Sequence, residues 1–126
     1  MLSLKEYRTS KDAKGLMAKM FEARHVAHVL HLKSKSYSEH KALGAFYEGL
    51  LGFLDDFVET YQGQYGLVGD LPLEVETFPE AVSYLEDCAL YFAVGRDALK
   101  DHHLQHMIDE VISMTYKTIY KLKFLK

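Results

Sequence analysis

Between Gln62 and Thr77 the chain carries Gly63, Gly66, Gly69 and Pro72, the one stretch in which residues that break regular structure gather. On either side of it, apolar residues recur at intervals of three and four, the signature of helices that bury one stripe. The pattern predicts an all-α four-helix bundle with one long connection in the middle. Strand-like alternation occurs only weakly, from Leu71 to Val75.

Helix A is expected over about 10–33. Ser10 or Thr9 caps it, Asp12 sits at its positive end, and Ala13, Leu16, Met17, Met20 and Phe21 lie on its apolar side. The Lys-Ser-Lys-Ser run at 33–36 loses the period, and Ser36 or Ser38 caps helix B, expected over about 38–62. Its core face is Leu43, Phe46, Tyr47, Leu50, Leu54, Phe57, Val58 and Tyr61. A second line, Ala45, Gly49, Gly52 and Asp56, places glycines inside a strong helix at a cost of about 1 kcal/mol each relative to Ala, which close approach of another helix would explain. Helix C starts at Pro79 and ends at Gly95, and helix D runs over about 98–123.

A chain of 126 residues makes one domain with one core. A single cysteine, Cys88, rules out an internal disulfide framework, and its neighbours Leu85, Ala89 and Phe92 mark it as a small buried hydrophobe. The opening MLSLKEYRTSK carries charges and no apolar h-region, and no run of about 18 apolar residues exists for a membrane span. A soluble, cytoplasmic protein is expected. Gly-rich phosphate loops, Ser-His-Asp patterns and CxxC pairs are absent.

Charge is unevenly spread. Residues 1–35 hold eight Lys or Arg against three acids, whereas residues 42–95 hold ten acids and no Lys or Arg. The acidic middle attracts cations, either as a face packed beside a basic first helix or as a lining along which metal ions arrive.

His25, His28 and His31 at helical spacing lead to His40 and then to Asp55, Asp56 and Glu59. Imidazoles and carboxylates from two successive helices are the ligand set that iron, manganese and zinc accept. His28 and His31 share a face at i, i+3, Asp55 and Glu59 share one at i, i+4, and a tight hairpin brings His40 near His28 or His31. Metal ligands are therefore expected among His28, His31, His40, Asp55, Asp56 and Glu59. A competing set lies on helix D, where His103, His106 and Glu110, or His102, His106 and Asp109, would join His31 and Glu59 within one subunit.

The order Ala27-His28, His40 twelve residues on, Asp55 fifteen further and Glu59 four further resembles the ferroxidase motif of the Dps-like branch of the ferritin-like superfamily, the DNA-protection proteins of starved cells. The register runs without gaps from about Arg24 to Gln64. The resemblance implies a ferritin-like bundle assembled into a hollow dodecamer, a homo-oligomer in which His28 and His40 of one subunit face Asp55 and Glu59 of its mate, with His31 as an alternative to His28. There Fe(II) would be oxidised by peroxide or oxygen and stored as mineral. It also raises the prospect of DNA binding through basic termini, here Lys5, Arg8, Lys11, Lys14 and Lys19, or Lys117, Lys121, Lys123 and Lys126. The contrasting expectation is a helical interaction or structural protein with a non-redox metal site or none, in which Phe124 and Leu125 dock on a neighbour.

Overall fold

A computed structural model describes residues 2–4, 12–71, 73 and 80–126, and these form four helices and no strand. Helix α1 (Ala13–Lys33) starts where the Asp12 carboxylate accepts the Lys14 amide at 3.1 Å. The expected caps Thr9 and Ser10, and the start of helix A near residue 10, lie outside the described residues. Helix α2 (Tyr37–Tyr65) is capped by Ser36, whose hydroxyl accepts the Glu39 amide. It runs beyond the expected end at 62 and stops at Gly66, where φ is 96°, a left-handed conformation that glycine adopts without a β-carbon clash.

Helix α3 (Ala81–Ala98) is capped by Glu80, which takes the amides of Val82 and Ser83 at 2.8 and 2.7 Å. Burial works against that charge, yet hydrogen bonds from Ser83 and Val82 hold the carboxyl below its usual range. The expected start at Pro79 lies outside the described residues. Gly95 does not end the helix as expected. It is buried within α3, and the break comes at Leu99–Asp101 before helix α4 (His102–Phe124).

The four apolar stripes meet in one core. Leu16, Met20, Ala23 and Ala27 of α1 pack with Phe46, Leu50, Leu54 and Phe57 of α2, Leu85 and Phe92 of α3, and Leu104, Ile108 and Val111 of α4. Each fully buried Leu or Phe contributes roughly 1.5–3 kcal/mol. Phe21, expected in this stripe, is 37% exposed; the buried line runs one position aside, through Met20 and Ala23, so His28 and His31 stand at the edge of the core.

Helix α1 packs on α2 and α3, and α4 packs on α2 and α3. Directions follow from contacts at the helix ends. Gln64 and Tyr65, at the end of α2, both donate to Asp101 at the start of α4. Midway, a β-carbon on Gly49 would come within 2.9 Å of the Met114 sulfur. Helices α2 and α4 are therefore antiparallel. Lys123 near the end of α4 pairs with Glu86 near the start of α3 at 3.6 Å, so α3 and α4 are antiparallel too. Consequently Tyr65 and Ala81 lie at opposite ends of α4, and α2 and α3 run in the same direction.

The glycine line is explained only in part. Gly49 admits α4, but Gly52 is exposed with open space beyond it. No described helix is long and apolar enough to cross a membrane.

Candidate metal centre

A tight turn through Ser34–Ser36 joins α1 to α2 and puts the last histidines of one helix beside the first of the next. Ser34 Oγ accepts the Ser36 amide at 3.2 Å and donates to the Ser36 carbonyl at 3.0 Å, which closes the turn. Across it, His31 Nδ1 bonds the His40 carbonyl at 2.5 Å, and His40 Nδ1 bonds the His31 carbonyl at 2.9 Å. A carbonyl can only accept, so each Nδ1 carries hydrogen, and in the neutral ring the lone pair resides on Nε2. That is the tautomer in which a metal-ligating histidine is held by a backbone carbonyl behind it.

The rings themselves limit what they can share. His31 and His40 stack with centroids 3.6 Å apart and planes within 18°. An imidazole lone pair lies in the ring plane, and a metal sits about 2.0–2.1 Å along it. Two nearly parallel planes this far apart have no common point at that range, so these rings do not chelate one ion together. His28 stacks on Tyr47 at 4.2 Å and is tilted 60° from His31 with centroids 6.2 Å apart. The space for His31 comes from Gly44, where an added β-carbon would lie 3.0 Å from the ring.

Asp55, Asp56 and Glu59 are exposed on α2. His40 and Asp55 are fifteen residues apart in one continuous helix, about 22 Å at 1.5 Å per residue. The histidines thus assemble in the chain as the hairpin predicted, and the carboxylates do not join them. Among the described residues no three His, Cys, Asp or Glu side chains are grouped to hold a metal ion. His25 is exposed.

The helix D set is not brought to His31. His102, His103 and His106 are exposed at the start of α4, beside the end of α2, whereas His31 lies at its beginning. His103 Nε2 is 2.9 Å from Gln64 Oε1. Of the lysines and arginines considered for DNA, Lys5, Arg8 and Lys11 lie outside the described residues and Lys19 is buried; Lys117, Lys121, Lys123 and Lys126 are exposed.

Lys19 belongs to a cluster that the sequence did not flag. Its ammonium is 2.8 Å from Glu22 Oε2, which also accepts the Tyr84 hydroxyl at 2.8 Å, and the rings of Tyr84 and Tyr91 flank it at 5.5 and 5.4 Å. Lys19 is only 9% exposed and Glu22 15%, so α1 and α3 meet around a desolvated ion pair. Burial, with Cys88 and Glu22 adding to it, raises the Tyr84 hydroxyl well above its ordinary pKa. Burial likewise pushes the Cys88 thiol up to about 12, and Cys88 is buried in the core as expected. The available signal was an oppositely charged i, i+3 pair set among Met17, Met20 and Ala23, a polar interruption of an apolar stripe.

No curated protein and no solved structure is matched by the chain. A family profile matches residues 31–122, a span that takes in His31, His40, Asp55, Asp56 and Glu59 and leaves His28 outside. The chain therefore belongs to the family of unknown function DUF5856.

Proposed function

We propose that the protein is a ferritin-like, Dps-type bundle that oxidises and stores iron at sites completed between two copies. The observation that carries this reading is the set of helix directions. Helices α2 and α3 run the same way between antiparallel neighbours, so the end of α2 and the start of α3 lie at opposite ends of the bundle, the arrangement that the single long crossover of ferritin-like folds connects. The site geometry supports it as well. Imidazoles held from behind by backbone carbonyls stand at one end of α2, and the exposed carboxylates Asp55, Asp56 and Glu59 stand about 22 Å along it. A two-fold axis that pairs two such helices antiparallel places the histidines of each copy against the carboxylates of the other.

In that arrangement His28 and His40 bind Fe(II) together with Asp55 and Glu59 of the second copy, with Asp56 beside them, while His31, stacked on His40, does not share their ion. Two Fe(II) each give one electron to peroxide, which takes two protons and leaves as two waters; iron is the substrate and the cargo. Native mass and Fe(II) turnover with peroxide test this together. The expected result is a large homo-oligomer, a dodecamer in the Dps-type case, whose oxidation rate is abolished by Asp55→Asn with Glu59→Gln. Both side chains are exposed, so the bundle tolerates their exchange. A monomer, or an unchanged rate in the double variant, would overturn it.

One observation favours a second reading, a helical interaction protein without a redox metal. The reciprocal His31–His40 bonds and the His28–Tyr47 stack by themselves account for all three histidines as a fastening between α1 and α2. Elemental analysis after growth in iron-rich medium separates the two: iron bound in stoichiometric amount excludes the second reading, and its absence supports it.

A further inference from the structure

At the far end of the bundle from the histidine corner, α4 begins with His102 and places His106 one turn on. Residues four apart on a helix stand on one face with Cβ atoms about 5–6 Å apart, within reach for two imidazoles to meet at one ion. Both side chains are exposed, His106 at 79%. His106 Nδ1 lies 3.8 Å from Asp109 Oδ2. That is too long for a hydrogen bond, but a carboxylate on that side favours hydrogen on Nδ1 over Nε2 and so leaves Nε2 free to ligate.

Asp109 is itself fixed. The Arg96 guanidinium bonds its two oxygens through Nε at 2.9 Å and Nη2 at 3.4 Å. The helix start would repel a cation, but Asp101 stands there with a side chain that does not cap α4, and its carboxylate offsets the positive end. His103, between the two, faces Gln64.

We propose that His102 and His106 form a two-imidazole chelate for a late first-row divalent ion, copper(II) ahead of nickel(II) and zinc(II), with water in the remaining positions. Imidazole pairs without carboxylate or thiolate ligands follow that order of affinity. Asp109 is a positioning residue, acting through His106 and held by Arg96. The site shares no residue with His28, His31, His40, Asp55 or Glu59, so it stands or falls separately from iron oxidation.

The test is a copper(II) titration of the full chain, followed by the side-chain nitrogen resonances of its histidines. In the Asp55→Asn/Glu59→Gln protein, which lacks the carboxylates of the proposed iron site, His102 and His106 signals broaden first, at substoichiometric copper, before those of His25, His28, His31 and His40. His102→Ala with His106→Ala removes this copper equivalent, and His106→Gln alone, which keeps a polar side chain at an exposed position, removes it too. Asp109→Asn leaves both ligands in place and, with a nearby charge but no hydrogen bond lost, weakens copper binding by less than about tenfold. Simultaneous broadening of all histidines, or the same copper affinity in the double variant and His106→Gln, would overturn the proposal.

Discussion

A ring that occupies the space of a missing β-carbon has nowhere to retreat when that carbon is restored. At Gly44 the neighbour is His31, whose ring is pinned by a backbone hydrogen bond and by its stack on His40. Gly44→Ala gains about 1 kcal/mol of helix propensity. The clash with a fixed ring outweighs it, so urea unfolding should show net destabilisation. Gly63→Ala, with open space around it in the same helix, should instead stabilise by about 0.5–1 kcal/mol. Equal effects at the two positions would show that the His31 ring is free to move. The buried pair gives a second prediction at this scale. Lys19→Met leaves Glu22 as a desolvated carboxylate and should cost about 3–5 kcal/mol, as breaking a buried pair does. Tyr84→Phe removes one hydrogen bond to a charged acceptor and should cost about 1.5–3 kcal/mol.

Between elements, a pH-sensitive contact joins the end of α2 to the start of α4. Hydrogen bonds from Tyr65 and Gln64 hold the Asp101 carboxyl below its ordinary pKa, and the same bond to Asp101 raises that of the Tyr65 hydroxyl. For Asp101 the folded value is the lower one, so its contribution is present above the unfolded aspartate pKa and is lost as pH falls through the folded value. For Tyr65 the folded value is the higher, so the contribution is present below the unfolded tyrosine pKa and is lost as pH rises through the folded one. Stability measured against pH should therefore show an acid and an alkaline decline, both reduced in Tyr65→Phe. An unchanged profile in that variant would contradict the assignment. The helices themselves were legible in the sequence because long apolar stripes have few alternatives, and of the two caps expected for α2, Ser36 and Ser38, it is Ser36 that holds it. The ends were less so. Gly95 carries the local signal of a terminator, yet α3 continues through it, because a glycine reads the same as a stop signal or as a buried helical position.

On the scale of the whole molecule, the order of histidines and carboxylates along the chain was legible, but where they meet was not. The hairpin assembly of His28, His31 and His40 follows from a short turn, which sequence spacing encodes directly. In the proposed reading, the partnership of those histidines with Asp55, Asp56 and Glu59 depends on a surface presented to another copy, since about 22 Å of continuous helix separates His40 from Asp55 in one chain. A site divided in this way has a property that no single-chain site has: two different defects can complement each other. His40→Gln retains a donor for the His31 carbonyl, and Glu59→Gln alters only an exposed side chain. Each alone should lose Fe(II) oxidation. Co-expressed, random pairing across a two-fold interface leaves about a quarter of the sites with both wild-type halves. The rate of Fe(II) oxidation by the co-expressed pair, relative to the unaltered protein, is thus the most direct measurement: recovery to about one quarter is the predicted result, and a mixture as inactive as its two components would contradict a site shared between copies.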